Sequence, residues 1–194
     1  MGQQKLRRPQ KAWRWLVKDV TDTFEFCPRC SAPTNELGAN PFRCSSCDWT
    51  FYFNPAVSAG AVLSDSTERI LLLERALDPG KGGLGIPGGF VDLGESAEAA
   101  LEREVWEEVG LKLTAFDFLC SFPNSYPFRE VCYAVVDLFF IGRVESFDAI
   151  VSQTSEVAGY LIVEPREIPL ERIAFESIRL ALEEYQRRVV SVSE

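Results

Sequence analysis

Glu104, Glu107 and Glu108 stand close together near the middle of the chain. On an α-helix, spacings of three and four residues put Glu104 beside both of the others on one face. Like charges so placed repel each other, and an ordinary helix gains nothing from the arrangement. A multivalent cation would reverse the sign of that interaction. Ligands that are all oxygen suit a hard ion such as Mg2+ or Mn2+, which holds one or two carboxylates, keeps some water and meets phosphate substrates. The chemistry on offer is phosphate chemistry at a metal. A solvated helix face carrying a run of charge is the competing reading, and three glutamates taken alone favour it.

A second set of ligand-type residues lies upstream. Cys27-Pro-Arg-Cys30 and Cys44-Ser-Ser-Cys47 are two identically spaced pairs, thirteen residues apart. Each pair can sit on a tight knuckle that points two thiolates at one centre, and two knuckles make the closed tetrahedral site of structural Zn2+. Four thiolates leave no open coordination position, so such a zinc would be structural rather than catalytic. Four unligated thiols or two disulfides are the alternatives. Disulfides belong to oxidising compartments, and the N-terminus shows neither an apolar signal core nor a small-residue cleavage site. A segment this short builds little core, so metal binding would supply much of its folding energy. Cys120 and Cys132, each in an apolar run, read as buried, reduced core thiols.

Composition removes several function classes. The 194 residues include no histidine, which excludes Ser-His-Asp and Cys-His catalysis and a His-ligated catalytic zinc. Acid–base work falls to carboxylates, Lys, Tyr or water. The net charge is −9, but six of the 20 basic residues lie within residues 1–18, which hold no acid; the remainder, with 14 bases against 29 acids, is near −15. So acidic a body is a poor partner for nucleic acid, whose affinity comes largely from phosphate neutralisation. The basic segment reads as flexible or self-docking, with Trp13, Trp15, Leu16 and Val17 packing on the body, or else as a contact for RNA or an anionic surface. No apolar run is long enough to span a membrane, and Leu6 stands where N-myristoylation would need Ser or Thr. The expected location is cytoplasmic.

The elements that must position these residues follow from pattern. Residues 1–20 are the basic segment, 21–53 a zinc ribbon ending in the aromatic strand Thr50-Phe-Tyr-Phe53, and 54–194 a larger domain beginning at the Asn54-Pro55 break. In that domain Ala56–Ser64 and Arg69–Glu74 read as strands joined by a polar turn. The acidic helix is expected over about 97–109: Ser96 is an N-cap, Glu98 suits the first turn, Gly110 is a stop, and Ala97, Leu101, Val105 and Val109 repeat every four residues toward a core. Leu111–Ser121 and Val131–Ile141 are expected as strands around a loop over 122–128, Val157–Val163 as another strand, and Ile173 to Val189 as a helix with Phe175, Ile178, Leu182 and Tyr185 on one face. Strands on both sides of a central helix, with a terminal helix, give an α/β sandwich with a mixed sheet.

The run from Gly89 through Leu111 supplies a longer pattern: Gly89, five residues, Glu95, seven residues, Arg103-Glu104, a hydrophobic residue, any residue, Glu107-Glu108, any residue, Gly110 and hydrophobic Leu111. It resembles the Nudix box at every defining position. The resemblance implies an α/β/α sandwich over roughly residues 54–190, and a zinc ribbon just upstream is similar to the NADH pyrophosphatase branch of that family. It further implies that Glu104 and Glu108 are the principal ligands of Mg2+ or Mn2+, Glu107 a ligand or base, and the Gly88 carbonyl a further ligand. Arg103 and Glu95 would be an ion pair orienting the helix. Glu156, just before a strand, matches a distal acid of these enzymes, or is an ordinary exposed loop residue. The implied reaction is attack of water on phosphorus of a nucleoside diphosphate linked to another group.

The same resemblance bears on substrate. Ser121-Phe-Pro-Asn-Ser-Tyr-Pro-Phe128 keeps the Ser, a Pro and the aromatic character of the NADH branch but lacks its Gln and Trp, whereas Leu84-Gly-Ile-Pro-Gly-Gly-Phe90 with Arg75 upstream is more similar to ADP-ribose pyrophosphatases. ADP-ribose or another ADP-linked diphosphate is expected first and NAD(H) second. Arg75 and Lys81 are candidate phosphate contacts or plain loop cations; Tyr126 and Phe128 are candidates to stack on a base or to pack on the core. A homodimer is implied as well. The alternative class is a nucleotide-sensing regulator that does not hydrolyse, with the ribbon as docking module.

Overall fold

The computed structural model describes residues 17–151 and 155–190, so the expected packing of Trp13, Trp15 and Leu16 lies outside the described residues. The chain forms two compact units: residues up to Asn54 together with Pro127–Tyr133, and Pro55–Tyr126 together with the chain from Ala134 onward.

In the first unit, β1 (Lys18–Asp19) pairs in parallel with Val131 and Cys132. The two cysteine pairs form equivalent knuckles. Ser31 N–H donates to the Cys27 carbonyl at 2.8 Å and Asp48 N–H to the Cys44 carbonyl at 3.0 Å. Ser31 and Asp48, each following the second cysteine of its pair, take φ of 59° and 56°, the left-handed conformation that turns the chain back over the sulfurs. β2 (Phe42–Arg43) and β3 (Thr50–Phe51) make a short antiparallel hairpin. The aromatic strand expected through Phe53 stops at Phe51. Asn40 takes over beyond it, its side chain bonding both the N–H and the carbonyl of Phe53 at 3.1 Å. Phe24 stacks edge-on against Phe42 and Phe53, at 5.5 and 4.7 Å between centroids.

In the second unit, β4 (Ala56–Ser64) and β5 (Ile70–Arg75) are antiparallel. Their turn is closed by buried Asp65, which accepts from the N–H groups of Thr67 and Arg69 and pairs with the Arg69 guanidinium at 2.6 Å. β6 (Leu84–Gly85) lies on β5, and β7 (Gly88–Phe90) on β4. α1 runs from Ala97 to Val109, as expected: Ser96 Oγ accepts from Ala99 N–H at 3.2 Å, and Gly110, at φ 67°, closes the C-terminus. β8 (Ala115–Phe128) and β9 (Val131–Arg143) follow, β9 running parallel to β4 from Ala56↔Val135 to Ser64↔Arg143. β10 (Val157–Val163) is antiparallel to β5, and α2 (Glu176–Val190) ends the described chain.

Alternation along the strands feeds two cores. Ala59, Ala61, Leu63, Leu71, Leu73 and Phe140 pack with Leu101, Val105 and Val109 of α1. Their neighbours Val62, Ile70, Leu72 and Phe139 pack with Ala181, Leu182 and Tyr185 of α2. A mixed sheet between two helices is the expected α/β/α sandwich. Among the described residues no helix is long and apolar enough to cross a membrane.

Three expectations are corrected. The loop over 122–128 is strand: β8 continues to Phe128, and Arg129, at φ 55°, makes the turn. Pro123 and Pro127 are tolerated because, among the described residues, β8 pairs with β9 alone, and an edge strand does not need every N–H. The last helix begins at Glu176 rather than near Ile173, because Ile173 is held in a parallel bridge to Leu84 and Ala174 N–H donates to the Leu84 carbonyl at 2.8 Å. Cys120 and Cys132 form no disulfide and are half-buried rather than buried; burial pushes the Cys120 thiol up to about 11.

Candidate active site

β7 carries Gly88 and Gly89 along β4, in register with Gly60 and Ala59. The neighbouring α1 presents its acidic face to this turn. Gly88 N–H donates to Glu108 Oε2 at 3.0 Å. Gly89 makes room for Glu104: a Cβ built on it would lie 2.3 Å from Glu104 Oε1. At Gly88 (φ 149°) the obstacle is backbone, with a Cβ 2.3 Å from the Ala59 carbonyl oxygen. Gly88→Ala should therefore lose about 3 kcal/mol or more of stability through overlap and strain. Calorimetry would read this as a fall in Tm of roughly 10 °C, and an unchanged Tm would contradict the geometry.

One guanidinium organises the acids. Arg103 grips Glu95 with two bonds, Nε to Oε1 at 3.0 Å and Nη2 to Oε2 at 2.9 Å. Its Nη2 also donates to the Phe90 carbonyl at 3.0 Å, and Nη1 to Glu104 at 2.8 Å and Glu107 at 3.3 Å. A planar fork with five donors can span these groups where an ammonium could not. Arg103 holds Glu95 below the usual carboxylate range. Burial pushes Glu104 upward despite Arg103, with Glu107 and Glu156 adding repulsion. Glu108 is pushed up to about 8, chiefly by burial, with the charges of Glu104 and Glu156 adding to it and the Gly88 N–H opposing. Such a cluster holds an excess of negative charge that a cation would neutralise.

These glutamates edge a cavity of about 380 Å³ whose lining lies entirely in the second unit. Gly88, Arg103, Glu104, Glu107, Glu108 and Glu156 are part of the lining. Arg75 and Tyr126 also line it. Arg75 Nε donates to the Pro79 carbonyl at 2.8 Å, and its guanidinium carbon lies 5.0 Å from the Phe175 ring centre. Glu95 stands behind Arg103, outside the lining. Lys81 and Phe128 are not brought there: Lys81 is an exposed loop residue, and Phe128, in the other unit, is exposed beneath the Arg129 guanidinium.

Sequence reasoning missed Phe175, whose ring stacks at 6.0 Å with Tyr126 in the cavity wall, and Asp137 with Ser58. The available signal was a single acid inside the apolar run Val135-Val-Asp-Leu-Phe139.

In the first unit the Sγ atoms of Cys27, Cys30, Cys44 and Cys47 lie within 4.8 Å of one another. Cys27–Cys47 is 3.8 Å and Cys30–Cys44 3.6 Å. A tetrahedron of Zn–S bonds near 2.3 Å has edges of about 3.8 Å, so the four sulfurs fit such an ion.

Known proteins bear on this geometry. The ADP-ribose pyrophosphatase of Methanocaldococcus jannaschii is 36% identical over 96 residues, 48% of this chain and 56% of that protein. The human mitochondrial NAD(P)H pyrophosphatase NUDT13 is 36% identical over 121 residues, 59% of this chain and 33% of that protein. The chain thus spans little more than half of the first and a third of the second. A NUDIX hydrolase crystal structure from Nitrosomonas europaea superposes with a TM-score of 0.64 at 23% identity, covering 84% of this chain and 91% of that one, and so shares the fold. Residues 54–183 match the NUDIX domain, the span that contains every residue lining the acidic cavity, and the chain belongs to the Nudix family.

Proposed function

We propose that this chain is a divalent-metal-dependent pyrophosphohydrolase acting on a nucleoside diphosphate linked to a second group, with ADP-ribose or a similar ADP-linked diphosphate preferred and NAD(H) second. The observation that carries the reading is the meeting of Glu104, Glu107, Glu108 and Glu156 with Gly88 in one cavity, with Arg103 fixing the helix that supplies three of them. Carboxylates alone would repel a diphosphate by about 4 kcal/mol for each charge pair at 4 Å and an effective dielectric near 20. When bound, Mg2+ or Mn2+ would reverse that repulsion, polarise the anhydride and make water a better nucleophile.

Glu104 and Glu108 are assigned as ligands, held in place by Arg103 and by the Gly88 N–H, and Glu107 as ligand or proton acceptor. Arg75 is assigned to the phosphates. Water adds to one phosphorus, the bond from that phosphorus to the bridging oxygen breaks, and the bridging oxygen leaves with the other phosphate, so that ADP-ribose yields AMP and ribose 5-phosphate. We assign the four cysteines to a structural Zn2+, supported by their spacing. The relatives' names, an ADP-ribose pyrophosphatase and an NAD(P)H pyrophosphatase, support these two substrates, and the order between them rests on the resemblance of Leu84–Phe90 with Arg75.

The test is to incubate the full chain with ADP-ribose, NADH, NAD+ or nucleoside triphosphates in Mg2+ or Mn2+ and to separate products by ion exchange. AMP from ADP-ribose, abolished by EDTA, is expected. Tight nucleotide binding with no product would favour a regulator over an enzyme.

A further inference from the structure

Asp137 is an acid that the hydrolytic assignment leaves unused. It is 5% exposed, on the α2 side of β9, and lines the same cavity. Ser58, its register partner on β4, donates Oγ–H to Oδ1 at 2.5 Å, and Ser177 of α2 donates to Oδ2 at 2.6 Å. Among the described residues no ion pair involves it. A buried carboxylate met only by neutral hydroxyls is expensive, and tying three elements together would be served as well by a neutral side chain. Each carboxylate oxygen accepting one serine keeps capacity for a further donor.

The surroundings say what kind of donor. Val135 and Phe139 flank Asp137 on the same face of β9, and the stacked rings of Tyr126 and Phe175 form the wall. Flat apolar surfaces around one acceptor fit an aromatic heterocycle bearing N–H, since every base has a π-face to stack.

We propose that Asp137 is a specificity residue that accepts a hydrogen bond from the exocyclic amine of the substrate's nucleobase, so that the cavity selects an amino-purine over its oxo counterpart. The base class rests on the nucleotide reading above; the selection by Asp137 is a separate claim. A carboxylate meets an amine with a charge-assisted bond, but it meets the carbonyl oxygen of hypoxanthine with repulsion and an unpaired acceptor. Sites built around such a bond discriminate strongly against the analogue that lacks the donor.

AMP and IMP differ at that position and need no turnover, so calorimetric binding of each to the full chain keeps this claim apart from hydrolysis. The wild type should bind AMP about tenfold or more tighter than IMP. Asp137→Asn, whose amide can present either donor or acceptor, should bring the ratio close to one with little change in the affinity for IMP. A purely structural Asp137 would change Tm and leave the ratio alone. Equal wild-type affinities, or no binding of either nucleotide, overturn the proposal, and that measurement stands even where D137N fails to fold. Preserved AMP selectivity with no hydrolysis in Mg2+ would sink the enzyme reading and leave this one intact.

Discussion

Glu108→Gln is expected to lower ADP-ribose turnover roughly a hundredfold or more while leaving the fold in place, and Glu104→Gln to do much the same. Glutamine keeps the size of the side chain and an amide oxygen that can still accept from Gly88 N–H, now at 3.0 Å, or from Arg103 Nη1, now at 2.8 Å. What it removes is charge at the point where a cation would bind. Steady-state rates at saturating Mg2+ beside calorimetric Tm values separate these effects. Near-normal turnover in either variant would refute the assigned ligand roles.

The same substitution carries a signature in the metal-free protein. Glu108 titrates near 8 in the fold, against an ordinary value of 4.5, so between those limits the folded state holds a proton that the unfolded chain has released. Its contribution to stability is therefore full below about pH 4.5 and is lost as pH rises through about 8, at up to about 1.4 kcal/mol per pH unit for one proton. Glu95 works the other way, but in a lower window: its depressed value contributes stability above the usual carboxylate range and loses it only in acid. In EDTA, Tm should fall from pH 5 to pH 8, Glu108→Gln should flatten the curve, and Mn2+ should restore the loss at high pH. A flat metal-free profile in the wild type would show that Glu108 is not held by burial.

The parts of this site that were legible beforehand are those whose signals are local and agree. Ser96, the four-residue apolar repeat and Gly110 all point to one helix, and α1 has those limits. The glutamates follow from the helix. Pro123-Asn-Ser-Tyr-Pro127 has the composition of a loop; the strand character of β8 comes from pairing with β9, a contact no local residue announces. The apolar spacing puts Phe175 on a helix face, but the bridge from Ile173 to Leu84 shifts the helix start and leaves the ring in the cavity wall. Lys81 and Phe128 have the chemistry of a phosphate contact and a base contact but are not among the residues that line the cavity. Asp137 acquires its meaning from Ser58 and Ser177, 79 and 40 residues away in sequence.

Cys30→Ser should remove zinc and the cooperative folding of the first unit, yet leave hydrolysis in Mg2+ near the wild-type rate. Among the described residues, the buried side chains of that unit's core are Cys27, Phe42 and Cys44, so two of the three are themselves candidate ligands. Phe24, Trp49 and Phe53 pack on them only in part. So thin an apolar core supplies little stability, whereas apparent zinc affinities in comparable small modules amount to about 10–16 kcal/mol. Removing one thiolate opens the tetrahedron and leaves three sulfurs converging without the charge that brought them together. Elemental analysis should find about one zinc per wild-type chain and far less in the variant, with an early unfolding step appearing on heating. The cavity residues all lie in the other unit, so hydrolysis is expected to survive the loss of the metal. Full zinc content in Cys30→Ser would show that the sulfurs converge for another reason, and a collapse of hydrolysis with the fold of the second unit intact would show that the ribbon takes part in catalysis.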